Sequence, residues 1–442
     1  MVEENQPIII LDCSATYSLR DLDGQETAKG DCKARLDTEN LSILPKMGEP
    51  LYFPFRDTQQ ITGSEYKIES FFTSHEKLTI SNLGYNYENF LRSYITLYNE
   101  IIIKELLMNE TLVKVGVAAD YVYIDENKVQ KDQGQCELRL YETALVIISR
   151  EGGFIRLPYS DLTNLHEENY RLLVDTEYGE SYAFSKMGKE LDSFNRTLSE
   201  RVNALILKSQ SSLKEILPRF DPSVIRRAAR FMKEGRAASR TALDTVSIDL
   251  WKELENKLDI LGIKPEYDYL KSLGQVNSIC IGIKRGLMGE MTGEYIWFLV
   301  PIFSLNSAEI GNAIAMEATS TEGSGRATYF FKIVNRQEYG NFKNITDLQS
   351  ATDKAIHCIN RCMNIINFRR EPIYMPNSQL DLRENIKYRY AVSKIPALQE
   401  LRRLFIGRVA HYSLQQWQQD IRDLLSFNIR NPDENVWNKN ES

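Results

Sequence analysis

Part of this chain is a copy of another part. Residues 30–99 align without a gap on residues 134–203, 104 positions later, with 16 identities among 70 aligned positions. Two unrelated stretches of ordinary composition would share roughly four. The repeated residues include Gly30/Gly134, Cys32/Cys136, Arg35/Arg139, Pro54/Pro158, Asp57/Asp161, Tyr66/Tyr170, Glu76/Glu180, Ser81/Ser185, Gly84/Gly188 and Phe90/Phe194. Conservative pairs such as Ile68/Leu172 and Ile80/Phe184 fill in between. Whatever one copy folds into, the other must also fold into, so the architecture is a duplicated module.

The first part of each copy has strand character. Cys32–Leu36, Leu41–Leu44, Glu49–Phe55, Tyr66–Phe72 and Lys77–Ser81 are short runs rich in β-branched and aromatic residues, separated by turn signals such as Gly63-Ser64. The second copy repeats them over Glu137–Ile148, Phe154–Tyr159, Tyr170–Asp175 and Tyr182–Ser185, turning at Glu151-Gly152-Gly153. Each copy then changes period. Apolar residues at Tyr87, Phe90, Tyr94, Leu97 and Ile101, and at Leu191, Phe194, Leu198, Val202 and Leu205, fall on one face of a helix. This predicts an antiparallel barrel whose open end is plugged by one amphipathic helix. Ser81 and Ser185 are expected to cap those helices, Asp57 and Asp161 to fix a turn, and Arg35/Arg139 to pair with Glu76/Glu180.

Strands followed by a single C-terminal helix, over residues 7–108 and again over 110–212, resemble the pleckstrin-homology (PH) superfold, closest to its GRAM and bacterial PH-like branches. The resemblance is one of architecture. It implies a recognition module without chemistry, since relatives bind lipid headgroups, peptides or protein partners. Phosphoinositide-binding members place Lys and Arg in the first loop to clamp phosphates. Here the first loop, read as Tyr17 to Asp31, is net acidic, with Asp21, Asp23, Glu26 and Asp31 against Arg20 and Lys29. Its equivalent, Asp125 to Gln135, sets Lys128 and Lys131 against Asp125, Glu126 and Asp132. This departs from the phosphate-binding pattern.

The chain of 442 residues has room for about three domains. A net charge of −7 gives no overall bias toward nucleic acid or anionic membrane. Six irregularly spaced cysteines point to reduced thiols. The N-terminus opens Glu3-Glu4-Asn5, the wrong charge for a signal peptide, and Pro7–Leu11 reads as the first strand. The longest apolar run, Ile296 to Phe303, is too short to span a bilayer. A soluble, cytoplasmic protein is expected.

From Lys208 to Arg240, nine Lys/Arg stand against three acids, leaving +6 in an acidic chain. Asp221-Pro222 is a helix start. Val224, Ala228, Phe231 and Met232 make its candidate buried face, and Arg226, Arg227, Arg230, Lys233, Arg236 and Arg240 form a candidate binding surface for an anionic partner. The alternative is a solvated linker helix. Strand-like runs at Ser278–Ile283, Tyr295–Ile302, Ala313–Thr319 and Ala327–Val334, then a helix over Ile345–Ile366, repeat the order of the module and suggest a third, diverged copy.

The expected fold class is therefore α+β, mainly β. PH-like modules occupy 1–109 and 110–212, a basic helical linker 213–275, and a diverged β-plus-helix module 276–370. A helical tail fills 371–442, disordered from Asn428.

No stretch carries a catalytic signature. Gly286, Gly289 and Gly293 match neither a Walker nor a dinucleotide pattern and read as a hairpin turn, as does Gly323-Ser324-Gly325. Cys358 and Cys362 sit one helical turn apart beside His357, but no second Cys/His pair with zinc spacing accompanies them. Asp21-Leu22-Asp23-Gly24 lacks the rest of a calcium loop. The four histidines, 75, 166, 357 and 411, stand in dissimilar contexts. No catalytic residue, cofactor or metal is expected. The favoured reading is a non-enzymatic scaffold that binds a protein or peptide partner. A peripheral adaptor on anionic membrane is the alternative. Tandem PH-like modules are also similar to parts of histone chaperones that bind basic partners, which makes chromatin or nucleic-acid association a third reading.

Overall fold

The computed structural model describes residues 9–106, 110–150, 154–285, 294–306, 309–320, 326–366, 368–430 and 436–437. The expected turns at 151–153, 286–293 and 323–325 lie outside these residues, as does most of the C-terminal end. The chain forms two compact units, residues 1–199 with 378–390, and residues 200–377 with 391–442.

The first unit holds the duplicated module. Copy one is built from β1 (Leu11–Arg20), β2 (Glu26–Leu36), β3 (Asn40–Pro45), β4 (Leu51–Pro54), β5 (Thr58–Ser64), β6 (Lys67–Phe72) and β7 (Lys77–Ser81), followed by α1 (Tyr87–Leu106). Copy two has β8 (Leu112–Ile124), β9 (Gln130–Tyr141), β10 (Ala144–Ser149), β11 (Phe154–Pro158), β12 (Leu162–Glu168), β13 (Arg171–Thr176) and β14 (Ser181–Ser185), followed by α2 (Leu191–Ile216). Each sheet is an antiparallel seven-stranded ribbon of the same order, β4-β3-β2-β1-β7-β6-β5 and β11-β10-β9-β8-β14-β13-β12. The first strand curls the ribbon into a half-barrel, because its second half pairs on both sides. Thr16–Arg20 meet β2 and also β7, and Asp120–Ile124 repeat this between β9 and β14. These are PH-like half-barrels, each with its helix.

The copying extends to the turns. Tyr66 and Tyr170 have φ of 58° and 59°, Asn82 and Lys186 both 58°, and Gly84 and Gly188 57° and 56°. A left-handed residue other than glycine costs about 1 kcal/mol or more. The same strain retained 104 residues apart shows that the tertiary fold dictates these turns and tolerates either side chain.

Several expectations are corrected here. The presumed loop Tyr17–Asp31 is mostly strand, as β1 and β2 leave only Asp21–Gln25 between them. Cys13, Ala15, Tyr17 and Leu19 are buried in alternation with polar Asp12, Ser14, Thr16 and Ser18. The run Pro7–Leu11 ends where the strand starts, since β1 begins at Leu11. Ser81 does not cap α1; its hydroxyl shares a 2.8 Å hydrogen bond with Thr16, tying β7 to β1. The residue preceding each helical entrance is Leu83 or Met187, without a side-chain cap. Arg35 pairs with Asp12 at 2.8 Å, not with Glu76, and Arg139 with Glu100 and Glu137 at 2.5 Å. Cross-strand register decides this, since Asp12 sits directly opposite Arg35.

In the second unit the presumed linker is core. Helices α3 (Pro222–Phe231), α4 (Arg240–Asp244), α5 (Ile248–Ile260) and α6 (Lys264–Leu273) line one face of a sheet of β15 (Ala238–Ser239), β16 (Cys280–Arg285), β17 (Glu294–Ile302), β18 (Ala313–Ser320), β19 (Ala327–Phe331) and β20 (Phe405–Ala410). Leu213, Ala228, Leu243, Trp251 and Leu270 share one apolar cluster with Ile296, Phe298 and Val300. Among the described residues, the chain after β19 also forms α7 (Arg336–Tyr339), α8 (Ile345–Ile365), α9 (Glu371–Tyr374), α10 (Asn377–Leu380), α11 (Ile386–Lys394), α12 (Pro396–Leu404) and α13 (Leu414–Arg430), of which residues 378–390 belong to the first unit. The strands and long helix expected over 276–370 are present. They are not a third copy, because the strand order is a plain meander, β15-β16-β17-β18-β19-β20, whose outer strands come from 238–239 and 405–410. The C-terminal stretch is correspondingly not just a helical tail. Asn428 is buried in α13, and Trp437 donates its backbone N–H to Ile406 O at 2.7 Å.

The central strands are buried on both faces, which explains their unbroken apolar runs. Ile296, Phe298 and Val300 face the helical cluster, while Tyr295 and Trp297 stack edge-on against Phe368 beyond α8, at 5.2 and 5.5 Å. Trp297 Nε1 donates to Gly235 O at 2.7 Å across Gly282, where a Cβ would fall 2.4 Å from Gly235 O and 2.9 Å from Ala237 N. Gly282→Ala must move backbone, so it is expected to destabilise this unit by about 1–3 kcal/mol. All four tryptophans lie in the second unit, so a drop in the urea midpoint of Trp fluorescence reads the effect there. An unchanged midpoint would contradict this packing.

Candidate functional site

The six basic residues divide between α3 and the stretch beyond its end. On α3, Ile225, Ala228 and Ala229 face the core and Met232 follows them, so Arg226, Arg227 and Arg230 project outward. Of the expected buried face, Ala228 and Met232 are buried and Val224 packs partly buried against the core, whereas Phe231 is 40% exposed and Ile225 and Ala229 are buried in addition. Arg227 donates to Thr245 O at 2.8 Å, while Arg226 and Arg230 form no ion pair among the described residues. The helix breaks after Phe231, with Glu234 left-handed at φ 49°. Lys233, Arg236 and Arg240 are thereby carried onto half-buried backbone, and Arg240 pairs with Asp244 at 3.5 Å. Arg226, Arg227 and Arg230 are exposed on α3, while Lys233, Arg236 and Arg240 beyond its end are half-buried.

The first loop of each barrel is a short acidic turn. Asp125 accepts from the backbone N–H groups of Val129 and Asn127 at 2.8 and 3.0 Å and pairs with Lys131 at 3.2 Å. The Val129 bond, with Lys131 and Asn127 behind it, holds this carboxyl below the usual range against partial desolvation. Lys128 donates to Gly179 O at 3.0 Å. Both lysines of that loop are thus spent on the protein's own acceptors. In copy one, Asp21 accepts from Gln25 N–H in the same manner at 2.9 Å.

The two outer strand edges β5 and β12 differ. In copy one the helix clamps β5. The position of a Cβ on Gly63 would be 2.3 Å from Leu91, and Tyr98 donates its hydroxyl to Gln59 O at 3.1 Å. The residues at the corresponding places in copy two are Glu167, Asn195, Val202 and Thr163, which supply neither the close fit nor the hydroxyl. β12 is the last strand of its sheet, and Thr163, Asn164, His166, Glu167 and Glu168 along it are exposed, with Leu165 half-buried. An edge of this kind presents unpaired backbone N–H and C=O groups.

The second unit contains a buried polar chain that sequence reasoning missed. Trp417 Nε1 donates to Thr328 Oγ1 at 2.8 Å, and Thr328 donates to the fully buried Glu317 carboxylate. The other Glu317 oxygen lies 2.8 Å from His411 Nε2, and His411 Nδ1 is 3.8 Å from Glu266. The imidazole stacks on the Trp417 indole at 5.0 Å. These groups come from α6, β18, β19, the residue after β20, and α13. The signal available beforehand was one carboxylate in an apolar strand, Ala313-Ile-Ala-Met-Glu317-Ala-Thr-Ser, and a buried charge needs a partner.

All six cysteines are free. Burial, aided by Asp31, pushes the Cys32 thiol up to about 11, and burial also raises Cys358 to about 12. Cys362 is fully buried in α8 with Cys358 one turn away. Among the described residues, no group of three or more His, Cys, Asp or Glu is placed to hold a metal. None of the described helices is long and apolar enough to cross a membrane.

No protein-family model matches the chain, and no curated protein does. A search of solved structures finds similarity to the Spt16D Pob3N heterodimer, with 12% sequence identity, covering 38% of this chain and 85% of that one at a TM-score of 0.17. A TM-score of that size does not establish a shared fold, so the PH-like assignment rests on strand order and on the helix that follows each sheet.

Proposed function

We propose that this protein is a non-enzymatic cytoplasmic scaffold whose second PH-like module takes a basic, extended segment of a protein partner onto the β12 edge. The observation that carries this reading is the asymmetry between the copies. Both edges have exposed residues, but Leu91 and Tyr98 of the helix hold β5 at Gly63 and Gln59, whereas β12 has neither side chain against it and bears Glu167 and Glu168. Strand addition supplies backbone hydrogen bonds, and the two carboxylates select for positive charge on the added segment. The buried, high-pKa thiols fit a reducing compartment.

A photo-reactive benzoylphenylalanine placed at His166 of the full chain, expressed in its native host, is expected to capture a protein partner. The same probe at Gln60 of β5 is expected to capture none. Glu167→Lys with Glu168→Lys should reduce capture at least roughly fivefold, as like charges then face each other. Capture from Arg226 or Arg230 with none from His166 would overturn this reading in favour of the basic helix.

A further inference from the structure

Residues 378–390 follow the long helix of the second unit in sequence but belong to the first unit. Their attachment resembles that of a bound peptide. Leu380, Ile386 and Tyr390 are buried, while Asp381, Leu382 and Glu384 between the first two are exposed. The polar anchors are two consecutive residues at the end of the segment. Tyr390 donates its hydroxyl to Phe55 O at 2.9 Å. Arg389 donates to Arg56 O, and its guanidinium lies 3.7 Å from the Asp57 carboxylate.

The receiving surface is the single 3-10 turn Phe55–Asp57 between β4 and β5. Thr58 N–H takes one lone pair of Phe55 O and Thr73 N–H takes Asp57 O at 2.9 Å, which leaves the second lone pair of Phe55 O and the Arg56 carbonyl to accept from the segment. Asp57 adds a full negative charge beside them, its side chain 45% exposed. Carbonyls flanked by a carboxylate suit a guanidinium next to a phenol hydroxyl, both donors. Tyr98 of α1 completes the pocket. Burial and the neighbouring Tyr390 hydroxyl push its own hydroxyl pKa up, so both phenols stay neutral donors. Copy two has the same turn at Tyr159–Asp161, but there the acid is 2% exposed, so the two corners are not interchangeable.

We propose that the Phe55–Asp57 corner of the first module is a binding site for one helical turn of the pattern Ile-x-x-Arg-Tyr, filled in cis by Ile386–Tyr390, and that the same segment of a second copy of this chain can occupy it in trans. Exchange is feasible because the polar anchors named above come from two adjacent residues, Arg389 and Tyr390, and the buried side chains of the segment are Leu380, Ile386 and Tyr390. The second copy offers the same segment at no cost in specificity. The inference is independent of the β12 reading.

Two full-length variants test it by complementation. Arg389→Gln with Tyr390→Phe leaves the corner intact and weakens its cis occupant, while Asp57→Lys spoils the corner and leaves the segment intact. Sedimentation of the mixture is expected to show a heterodimer that neither variant forms alone to the same extent. A fluorescent peptide of residues 378–394 should bind the Arg389→Gln, Tyr390→Phe variant at least roughly tenfold more tightly than the wild type, and adding Asp57→Lys should remove that gain. Unaltered circular dichroism confirms folding in each case. Absence of a heterodimer, together with equal peptide binding by variant and wild type, would show a fixed structural clasp and overturn the proposal.

Discussion

Phe90→Ala is expected to lower the stability of the first module by about 3–5 kcal/mol, and Phe194→Ala that of the second by a similar amount. Both rings are fully buried, at equivalent positions one turn into α1 and α2. There the helix closes the open side of its half-barrel, and neighbouring aromatic residues leave little freedom to collapse into the space vacated. In copy one Tyr94 is also fully buried and lies 5.6 Å from Phe55, so the cavity would be bordered by rings already fixed by packing. The second module should not be spared by Phe90→Ala. Ile103 of α1 packs with Tyr141, Val146 and Ile148 of copy two, and Glu100 of α1 holds Arg139. Hydrogen exchange resolves both effects without a tryptophan in this unit. Amides of the affected helix should lose several orders of magnitude of protection, with a smaller loss across β9 and β10. A loss below about 1 kcal/mol at either site would mean that the helices do not close the barrels.

Glu317→Ala is expected to cost the second unit about 3–5 kcal/mol, the penalty for leaving the partners of a buried charge unsatisfied. His411→Ala should cost a similar amount, since it strands the carboxylate instead. Glu317→Gln keeps the Thr328 contact and is expected to lose about 1–3 kcal/mol. The double variant Glu317→Leu, His411→Leu decides whether the chain stabilises or merely specifies. Replacing both members of a buried polar pair by well-packed apolar groups is often neutral or stabilising, so the two changes together should cost far less than the sum of the single losses. Urea unfolding followed by tryptophan fluorescence measures all of these. The His411 ring lies on Trp417, so its removal should also change the native-state emission before any unfolding. Additive losses in the double variant would show that Glu317 and His411 act independently.

Much of the first unit was legible in the chain because its information is local. Strand and helix periods, the turn glycines and the 104-residue offset all depend on neighbours a few residues apart. The offset recurs in the starts of β12, β13, β14 and α2 relative to β5, β6, β7 and α1. What was misread there was register. Ser81 and Arg35 were matched with plausible chemical partners, but strand pairing put Thr16 and Asp12 beside them. The basic stretch is open to a related ambiguity. Its charge is a property of the sequence, but whether six cations share a surface depends on where the helix ends, and α3 ends at Phe231.

The sequence by itself determined that one module was made twice, where its helices lie, and that Phe90, Tyr94, Phe194 and Leu198 are buried along them. Local backbone preference and side-chain period suffice for that. Only the tertiary structure decided how the second sheet is completed, by pairing Ala327 with Ala410 across the chain and adding Ala238 opposite Ile281. It alone brought Glu317, Thr328, His411 and Trp417 into one buried chain and set Arg389 and Tyr390 on the corner at Phe55. Most of these contacts join residues far apart in the chain, 89 positions for Trp417 and Thr328 and 335 for Tyr390 and Phe55. No local pattern encodes such a meeting, because it is fixed by the burial and pairing of everything in between.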